Sequence, residues 1–347
     1  MRLLRFFGIM LIYLISGMLM FAIFLVLVVT MILRGPSAEA RDVFVHSCEE
    51  TSAMKFVPRL FLDDGLVDDI LNPEIRPDTF TLLPEEPART ADAGADAVLT
   101  PDAVTDDSDD EEWDHGVRVE DVIGDTYRGK MMLVKDPHRV IVGTLKNYGE
   151  GMGGKYLPDF VSAYNAVGGT NAGGFDDPDG HGAGGCPLGI VIENGAIRYG
   201  DGGTMYKNVM GFDSDGIMHV GDMTGSQALE AGIVTGVSFP IGSILVQDGV
   251  GCDINVGGIN PRTALGQRAD GTVLMLVVEG RHAGSLGASH TDLRDIMLSY
   301  GAVTASMLDG GTSSTMIYKG EQITRGSNII GMRAIPDAIL VLPEDEG

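Results

Sequence analysis

Four glycine-rich loops in the C-terminal part of the chain carry the side chains whose types and spacing could do chemistry. Each loop borders an apolar run, so each lies where a strand meets a turn. They are 168–182 (GGTNAGGFDDPDGHG), 260–271 (NPRTALGQRADG), 277–284 (VVEGRHAG) and 308–314 (LDGGTSS). Glycine lets the backbone approach a ligand closely, and arginine holds a phosphate with its planar fork. Together these residues predict an anionic substrate such as a phosphate ester.

Asp309 is the most conspicuous acid in these loops. The apolar run Val303–Leu308 ends directly in this residue, and two glycines and a cluster of hydroxyls follow. A plain hairpin turn needs only about two residues of this kind. Taken alone, the stretch is compatible with an ornate turn and with a catalytic carboxylate.

The other polar loop residues also have plain structural interpretations. Glu279 and Arg281 lie two apart on a predicted strand and share a face, which is compatible with a surface ion pair. His181 and His282 are typical of exposed loop histidines. The run DDPDGHG resembles a calcium loop but lacks the EF-hand spacing. Its carboxylates are the candidate metal ligands: Asp176, Asp177 and Asp179.

Several function classes are excluded by patterns that the sequence lacks. There is no GxxxxGK[ST] phosphate loop, no GxSxG nucleophile elbow, no HExxH zinc motif, and no dinucleotide fingerprint between a strand and a helix. The formal net charge is −25. Nucleic-acid binding asks for a basic face, so no nucleic-acid partner is expected.

Short apolar runs between turn signals must position these loops. Strands are predicted over Met131–Val134, Val140–Leu145, Gly189–Glu193, Asn208–Phe212, Ile217–Val220, Gly242–Val246, Thr272–Glu279, Val303–Leu308, Ser314–Tyr318 and Ala338–Leu342. Helices are predicted over Asp159–Val167, over Thr224–Ala231 with Ser226 as cap, and over Thr291–Tyr300 with Thr291 or Asp292 near its start. The pattern predicts an α+β fold, a glycine-rich, mostly antiparallel or mixed twisted sheet with a few packed helices.

The N-terminus predicts a membrane anchor. Phe6–Leu33 is a run of 28 residues without a charge, and about 20 apolar residues span a bilayer as a helix. Arg2 and Arg5 precede the run and acids follow Arg34, which predicts a single-pass cell-membrane protein with a cytoplasmic N-terminus and an extracytoplasmic remainder. Secretory signal peptides have shorter apolar cores, which favours a retained anchor, but cleavage at Ala38-Glu39-Ala40 stays open.

Composition divides the rest of the chain. Residues 1–34 form the anchor, 35–71 a short juxtamembrane helical segment, 72–115 an acidic disordered spacer and 116–347 the globular domain. Between Glu39 and Asp114 there are 22 acids and five basic residues, a net of −17. Such a run, poor in apolar residues, does not bury enough surface to fold.

Three cysteines are present: Cys48, Cys186 and Cys252. The sequence has no CxxC pattern, which disfavours a zinc site. Outside the cell, Cys186 and Cys252 could form a disulfide. Isolated thiols are an equally open interpretation.

Four motifs, in order, resemble the phosphodiester glycosidase family, which is related to the N-acetylglucosamine-1-phosphodiester alpha-N-acetylglucosaminidase or "uncovering enzyme". They are NAGGF (Asn171–Phe175), PRTALG (Pro261–Gly266), VEGR (Val278–Arg281) and LDGGTSS (Leu308–Ser314). The similarity covers roughly Asp121 to Pro343. A membrane-anchored domain after a spacer also resembles bacterial members of exopolysaccharide or cell-envelope metabolism.

The resemblance implies a hydrolase that cleaves the glycosidic bond of a sugar-1-phosphodiester. Asp309 would act as base, nucleophile or oxocarbenium stabiliser, Asn171 as orienter, and Glu279 as second acid or orienter. Arg262 and Arg281 would bind the phosphate. The other substrate-binding positions would be Thr263, Gly173, Gly174, Gly310, Gly311, Thr312 and Ser313. No cofactor is required in this scheme, although a divalent cation is compatible with it.

The sequence departs from the family pattern at two positions, so the resemblance does not identify the substrate. Glu279 stands where the family has Asp, and NAGGF keeps only Phe175 of the usual aromatic pair. Two rival functions stay open. One is a non-catalytic protein of envelope glycan binding or polysaccharide assembly, and the other is a metal-dependent phosphodiesterase that cleaves the P–O bond. The expected partners are a glycan or sugar phosphodiester and, through the N-terminal helix, the membrane.

Overall fold

The fold is taken from a computed structural model that describes residues 2–51, 54–72, 113–177, 182–254, 257–327 and 331–344. Most of the predicted acidic spacer and Asp179 and His181 therefore lie outside the described residues. The described helices are α1 (Arg2–Arg34), α2 (Ala38–Glu49), α3 (Phe56–Arg59), α4 (Asp64–Leu71), α5 (Leu157–Ala163), α6 (Gly225–Glu230) and α7 (His290–Ser299).

Three antiparallel sheets form the body of the molecule, as an α+β fold. The strands of the seven-stranded sheet, in spatial order, are β1 (Val117–Ile123), β2 (Arg128–Val134), β13 (Val273–Val278), β12 (Arg262–Arg268), β14 (Ala302–Leu308), β10 (Ile244–Gln247) and β11 (Val250–Gly251). One five-stranded sheet contains β16 (Glu321–Gln322), β15 (Met316–Tyr318), β4 (Gly168–Asn171), β17 (Asp337–Val341) and β3 (Val140–Thr144). The other contains β6 (Ala196–Tyr199), β5 (Val191–Glu193), β9 (Ile233–Ser238), β7 (Met205–Asp213) and β8 (Met218–Thr224).

The centre of the seven-stranded sheet is the main core. All six residues of β13 are apolar and buried, as a strand covered on both faces requires. Burying one such large aliphatic side chain contributes about 1.5–3 kcal/mol. Strands β12 and β14 flank this arrangement, and helix α7 contributes Leu293, Ile296 and Met297 to it.

Strand register brings three of the predicted loops to one sheet edge. Strand β12 begins at Arg262, which pairs with Val278, the last residue of β13. The next residue, Thr263, pairs with Leu308, the last residue of β14. Because both neighbours run antiparallel to β12, the residues that follow Val278 and Leu308 emerge beside the start of β12.

The fourth loop follows β4, the middle strand of the first five-stranded sheet. Asn171 at the end of β4 pairs with Ala338 of β17. Glycine is required in β4 because a Cβ on Gly168 or Gly169 would lie 2.6 or 2.5 Å from a carbonyl oxygen of a neighbouring strand. Composition alone does not predict this strand, since glycine disfavours β structure.

Helices α6 and α7 are both capped at an earlier residue than the sequence predicts. Helix α6 is capped by Thr224, not by the predicted Ser226, in a capping box with Gln227. Helix α7 is capped by Ser289, and Asp292 lies at the third helical position, from which it completes a second capping box. A cap must precede the first helical residue so that its oxygen accepts the free N–H groups.

The N-terminal helices form a small unit of their own. Leu33 of α1, Val45 of α2 and Val67 of α4 are buried against one another. Within the described residues, Phe6–Arg34 is the one helix long and apolar enough to cross a membrane. A signal sequence near the N-terminus has the same properties.

The predicted disulfide does not form. All three cysteines are free, and Cys48 is buried. The Cys186 sulfur lies 3.4 Å from the Tyr199 hydroxyl on β6, whereas Cys252 follows β11 beside Arg294 of α7. The two thiols belong to the surroundings of different sheets, so the equally open interpretation of isolated thiols holds.

Candidate active site

Arg262 is the centre of an anion-binding cluster at the edge of the seven-stranded sheet. Its side chain is almost fully buried. The guanidinium donates hydrogen bonds to the carbonyl oxygens of Ala288 and Gly258 and to the Glu50 carboxylate. Burial lowers the pKa of Arg262, and the nearby Glu50 charge opposes that effect.

Glu50 reaches this cluster from the C-terminal end of α2, although it lies 212 positions from Arg262 in the sequence. Its carboxylate also accepts hydrogen bonds from the Asn260 amide at 2.8 Å and from the Gly258 N–H at 3.0 Å. Burial raises the pKa of Glu50, but Arg262 and the Gly258 N–H outweigh it, so the pKa is lowered overall. Glu50 is therefore ionised.

Arg281 forms the second cation of the cluster. Its Nη2 atom donates to the Thr51 hydroxyl and to Asn260 Oδ1, both at 3.0 Å. Burial and the neighbouring positive charge of Arg262 lower the pKa of Arg281. The backbone of Arg281 has φ of +61°, a conformation that is costly for a residue with a side chain and that clusters at functional sites.

His290 lines the same cluster from the first turn of α7. Burial and the positive charge of Arg262 lower the pKa of His290 to about 4, so the imidazole is neutral at neutral pH. Its Nε2 atom is 3.8 Å from Glu50, too far for a hydrogen bond. Among the described residues, neither ring nitrogen has a hydrogen-bond partner.

The Asp309 turn lies against the two arginines. The Gly311 N–H donates to the Pro261 carbonyl at 2.8 Å. A Cβ on Gly311 would be 3.5 Å from the Arg281 guanidinium, and φ at Gly311 is +62°. Gly310, Gly311, Thr312 and Ser313 therefore form a tight turn beside the two arginines.

Asp309 itself is a perturbed acid. Burial raises its pKa to about 6, against hydrogen bonds from the Ser313 side chain and the Gly310 N–H. The positive charge of Arg333 also opposes the shift, and Asp177 adds to it. A carboxyl with this pKa can exchange a proton near neutral pH, which is what acid–base catalysis requires.

Asn171 holds the backbone of Asp309 through a hydrogen bond. Its amide donates to the Asp309 carbonyl at 2.6 Å, and its Oδ1 accepts from the Thr263 hydroxyl at 3.0 Å. The Thr263 hydroxyl also contacts Ser314 at 3.2 Å. Asn171 and Thr263 are fully buried. These predicted site residues contact protein groups and fix where Asp309 lies.

Glu279 pairs with His282 and not with Arg281. The Glu279 carboxylate is 3.3 Å from His282 Nε2 and accepts the Arg325 N–H at 2.6 Å. The predicted strand-face pair with Arg281 does not form, because the chain leaves β13 at Val278 and Arg281 has a left-handed backbone. His282 is largely buried, contrary to the exposure that its loop position predicts.

The candidate metal ligands do not form a cluster in the described part of the chain. No group of three or more His, Cys, Asp or Glu side chains there is arranged to hold a metal ion. Asp177 instead makes a two-pronged ion pair with Arg333 at 2.7 and 2.8 Å, and Asp176 is exposed. Arg333 in turn stacks on the Phe175 ring.

Gly173 and Gly174 lie in a second closely packed stretch of backbone, directly after Ala172, whose carbonyl accepts the Asp309 N–H. The Gly173 N–H donates to the Asp337 carboxyl at 2.6 Å. A Cβ on Gly174 would be 2.9 Å from the Phe239 ring. Both positions are therefore tightly packed against protein groups, Gly174 more closely than Gly173.

The four residues that sequence reasoning missed are Glu50, Asn260, His290 and Asp337. Asn260 is the first residue of the loop 260–271, and His290 directly precedes the predicted helix start Thr291, so the neighbourhood of each was a usable signal. Asp337 is the one charged residue of β17, and a single acid at the start of an apolar strand was also visible. Glu50 carries no such signal, since it lies outside the globular domain.

The site and fold define an α+β domain with a buried arginine and a perturbed acid at neighbouring strand ends, and the comparisons with known proteins identify its family. The model of the phosphodiester glycosidase family matches residues 164–342, and the chain belongs to that family. An uncharacterized protein of Bacillus subtilis (strain 168), the SPbeta prophage-derived YomE, is 31% identical over 173 residues. That match spans 46% of this chain and 26% of the relative, so the chain covers about a quarter of the relative's length.

Two solved structures superpose on this chain, and the first of them shares its fold. The catalytic domain of zebrafish N-acetylglucosamine-1-phosphodiester alpha-N-acetylglucosaminidase, described as auto-inhibited by its pro-peptide, superposes with a TM-score of 0.53 and 22% identity. The superposition covers 66% of this chain and 82% of that one. A putative exported protein of Burkholderia pseudomallei K96243 gives a TM-score of 0.48 at 15% identity, covering 62% and 74%.

Proposed function

We propose that this chain is a hydrolase that cleaves the glycosidic bond of a sugar-1-phosphodiester and releases a free sugar and a phosphomonoester. Membership of the phosphodiester glycosidase family supports this reaction class. The proposal also includes the location of the protein in the cell. The N-terminal helix anchors the protein in the cell membrane, and the catalytic domain acts outside the cytoplasm on envelope or exopolysaccharide glycans.

The observation that carries the proposal is the set of hydrogen-bond donors around the Glu50 carboxylate. Arg262, the Asn260 amide and the Gly258 N–H hold its two oxygens. A carboxylate and a phosphate ester present the same kind of acceptor to an arginine fork and a backbone N–H. The Glu50 oxygens therefore stand in for two phosphate oxygens of the substrate.

The charges of the cluster fit a phosphodiester. Arg262 and Arg281 carry two positive charges at the Asp309 turn, and His290 adds none because it is neutral. When the C–O bond between the anomeric carbon and the phosphate breaks, negative charge grows on the phosphate. Cations fixed at that position stabilise the transition state more than the ground state.

Asp309 acts on the sugar side of the breaking bond. The leaving phosphate needs little protonation, unlike the alkoxide of an ordinary glycoside. Asp309 then serves as base toward water, as nucleophile, or as stabiliser of the oxocarbenium-like carbon. Glu279, hydrogen-bonded to His282, is the second acid of the proposal, and Asn171 orients Asp309 through its backbone.

The segment 47–51 acts as an inhibitory strap over this site. Glu50 occupies the phosphate position, Thr51 contacts Arg281, and the Ser47 hydroxyl accepts the Ile259 N–H at 2.9 Å. A substrate phosphate must displace these groups before it reaches Arg262. The zebrafish relative is described as auto-inhibited by its pro-peptide, and we propose the same kind of control here, with the strap contributed by the juxtamembrane segment.

The test is product analysis with the full-length protein in detergent. Diesters of several sugar 1-phosphates are incubated with the protein and with its Asp309→Asn variant. The expected result is free sugar and a phosphomonoester, at a rate that the variant lowers by about 100-fold or more. Release of a sugar phosphate would indicate P–O cleavage, and loss of that activity on chelation would favour a metal-dependent phosphodiesterase. Glycan binding without turnover, unchanged in the variant, would favour a binding protein.

A further inference from the structure

Asp337 is a buried acid that the proposed chemistry leaves without a role. It is the first residue of β17, pairs with Thr144 of β3, and is fully buried in a strand whose other four residues are apolar. Its Oδ1 accepts one hydrogen bond, from the Gly173 N–H. Among the described residues, its Oδ2 has no hydrogen-bond partner. A buried carboxyl without a cationic partner is costly to ionise, so the presence of an acid at this position needs an explanation.

One peptide group connects Asp337 to Asp309. The peptide bond between Ala172 and Gly173 donates its N–H to Asp337 Oδ1 at 2.6 Å. The carbonyl oxygen of the same peptide accepts the Asp309 N–H at 2.9 Å. A Cβ on Gly173 would lie 3.1 and 3.4 Å from the two Asp337 oxygens, so the carboxyl packs directly on this peptide. The position of Asp309 thus depends on a peptide that Asp337 clamps from its other side.

The charges around the two acids favour a proton on Asp337. Burial, followed by the negative charge of Asp309, raises the pKa of Asp337 to about 7, against the hydrogen bond from Gly173. The Tyr148 phenol is a further ionisable neighbour of Asp337, and burial raises its pKa and keeps it protonated. Arg333 and Asp177 act on Asp309. Among the described residues, Arg333 therefore favours the charge on Asp309 and leaves the proton to Asp337.

We propose that Asp337 is a positioning residue for the proposed hydrolysis. In its protonated form it holds the Ala172–Gly173 peptide against Asp309 and keeps a second negative charge away from that carboxylate. Ionisation of Asp337 places the second charge there and disfavours the active state. The role rests on the proposed function, but the coupling of the two carboxyls is independent of it.

The variant Asp337→Asn tests the role because Asn keeps an oxygen for the Gly173 N–H and is always neutral. We expect kcat within about threefold of wild type at about pH 6. We also expect the decline of kcat/KM above about pH 7 to be lost in this variant, since it reports ionisation of the acid. Asp337→Ala removes the acceptor and is expected to lower kcat about tenfold or more at both pH values, with a smaller change of KM. An alkaline decline that is identical in wild type and Asp337→Asn would overturn the proposal.

A second measurement does not require a substrate. Carboxyl carbon NMR of the full-length protein follows the titration of Asp337, identified by its disappearance in Asp337→Asn. In Asp309→Asn the apparent pKa of Asp337 is expected to fall by about half a unit or more, because a like charge is removed. Asp222→Asn is the matched control, since Asp222 also accepts a backbone N–H but lies exposed on β8. An unchanged Asp337 titration in Asp309→Asn would refute the coupling even if the proposed hydrolysis proves correct, and a shifted titration without any sugar release would refute only the proposed function.

Discussion

Neutralising Glu50 should open the arginine site to substrate. Glu50→Gln keeps the length of the side chain and its hydrogen-bonding capacity toward Gly258 or Asn260, but it removes the negative charge that faces Arg262. The strap residues Ser47 and Thr51 remain. The substitution therefore weakens the closed state, in which the strap covers Arg262, relative to the open state, in which it does not. It deletes no part of the site.

The size of the effect follows from the contacts that are lost. A hydrogen bond to a charged group contributes about 1.5–3 kcal/mol, about twice a neutral one. Of the three groups that hold the Glu50 oxygens, one is a guanidinium and two are neutral N–H donors. Taking about 2 kcal/mol as the net loss, the closed population falls about 30-fold relative to the open one, since each 1.4 kcal/mol is a factor of ten.

The assay is the concentration dependence of sugar release by full-length protein, with inorganic phosphate binding as a second readout. Because strap and substrate compete for Arg262, KM for a phosphodiester and Kd for phosphate should both fall by up to about 30-fold. The control is Glu49→Gln, which makes the same chemical change at the adjacent position, where Glu49 pairs with exposed Lys55. That control should leave both constants unchanged. A Glu50→Gln variant with a higher KM, or with a large loss of kcat, would refute the strap and make Glu50 part of the catalytic machinery.

Three further predictions address the acids and the arginine. Asp309→Asn should lower kcat by about 100-fold or more while KM changes little, because the phosphate is held by other residues. Arg262→Lys keeps the charge but loses the fork, so kcat/KM measured at about pH 6 should fall about tenfold or more. Burial raises the pKa values of Asp309 and Asp337 to about 6 and about 7 in the folded protein. Their contribution to the free energy of unfolding is therefore fully present below about pH 4, where both acids are protonated in the folded and the unfolded protein. This contribution is lost as the pH rises from about 4 through 6 and 7. For Asp337 the loss is at most about 4 kcal/mol. Chemical denaturation should show a smaller decline of unfolding free energy from about pH 4 to 8 in Asp337→Asn.

Strands β13 and β14 of the seven-stranded sheet were predictable because each follows a mainly apolar run, whereas the more polar central strand β12 was not among the predicted strands. The runs around β13 and β14 were predicted within one residue at each end, since few other structures bury such a run. Strand β4 was missed because it is built on two glycines, and only the close approach of neighbouring carbonyls makes them necessary. That approach is a tertiary fact that a local pattern does not contain.

The site was predictable in its residues more than in their contacts. Arg262, Arg281 and Asp309 follow from strand ends that carry polar residues, and antiparallel register brings them to one edge. The partner of each was not predictable. Glu279 forms a hydrogen bond with His282 and not with Arg281. The reason is that Arg281 itself has a left-handed backbone, which turns the chain shortly after β13 ends.

The buried charge of Arg262 would connect the proposed inhibition by Glu50 with the proposed binding of substrate. A guanidinium withdrawn from water is costly unless an anion faces it. In this structure Glu50 supplies that anion, and in the proposed reaction the substrate phosphate does. Strap release therefore exposes an unpaired buried cation unless an anion arrives, so release and binding are thermodynamically linked. It follows that a neutral sugar without phosphate gains nothing from Arg262 and leaves the strap in place. Under the proposed function, selection for a phosphodiester over a plain glycoside would follow from the need to displace Glu50, in addition to any direct contact with the phosphate.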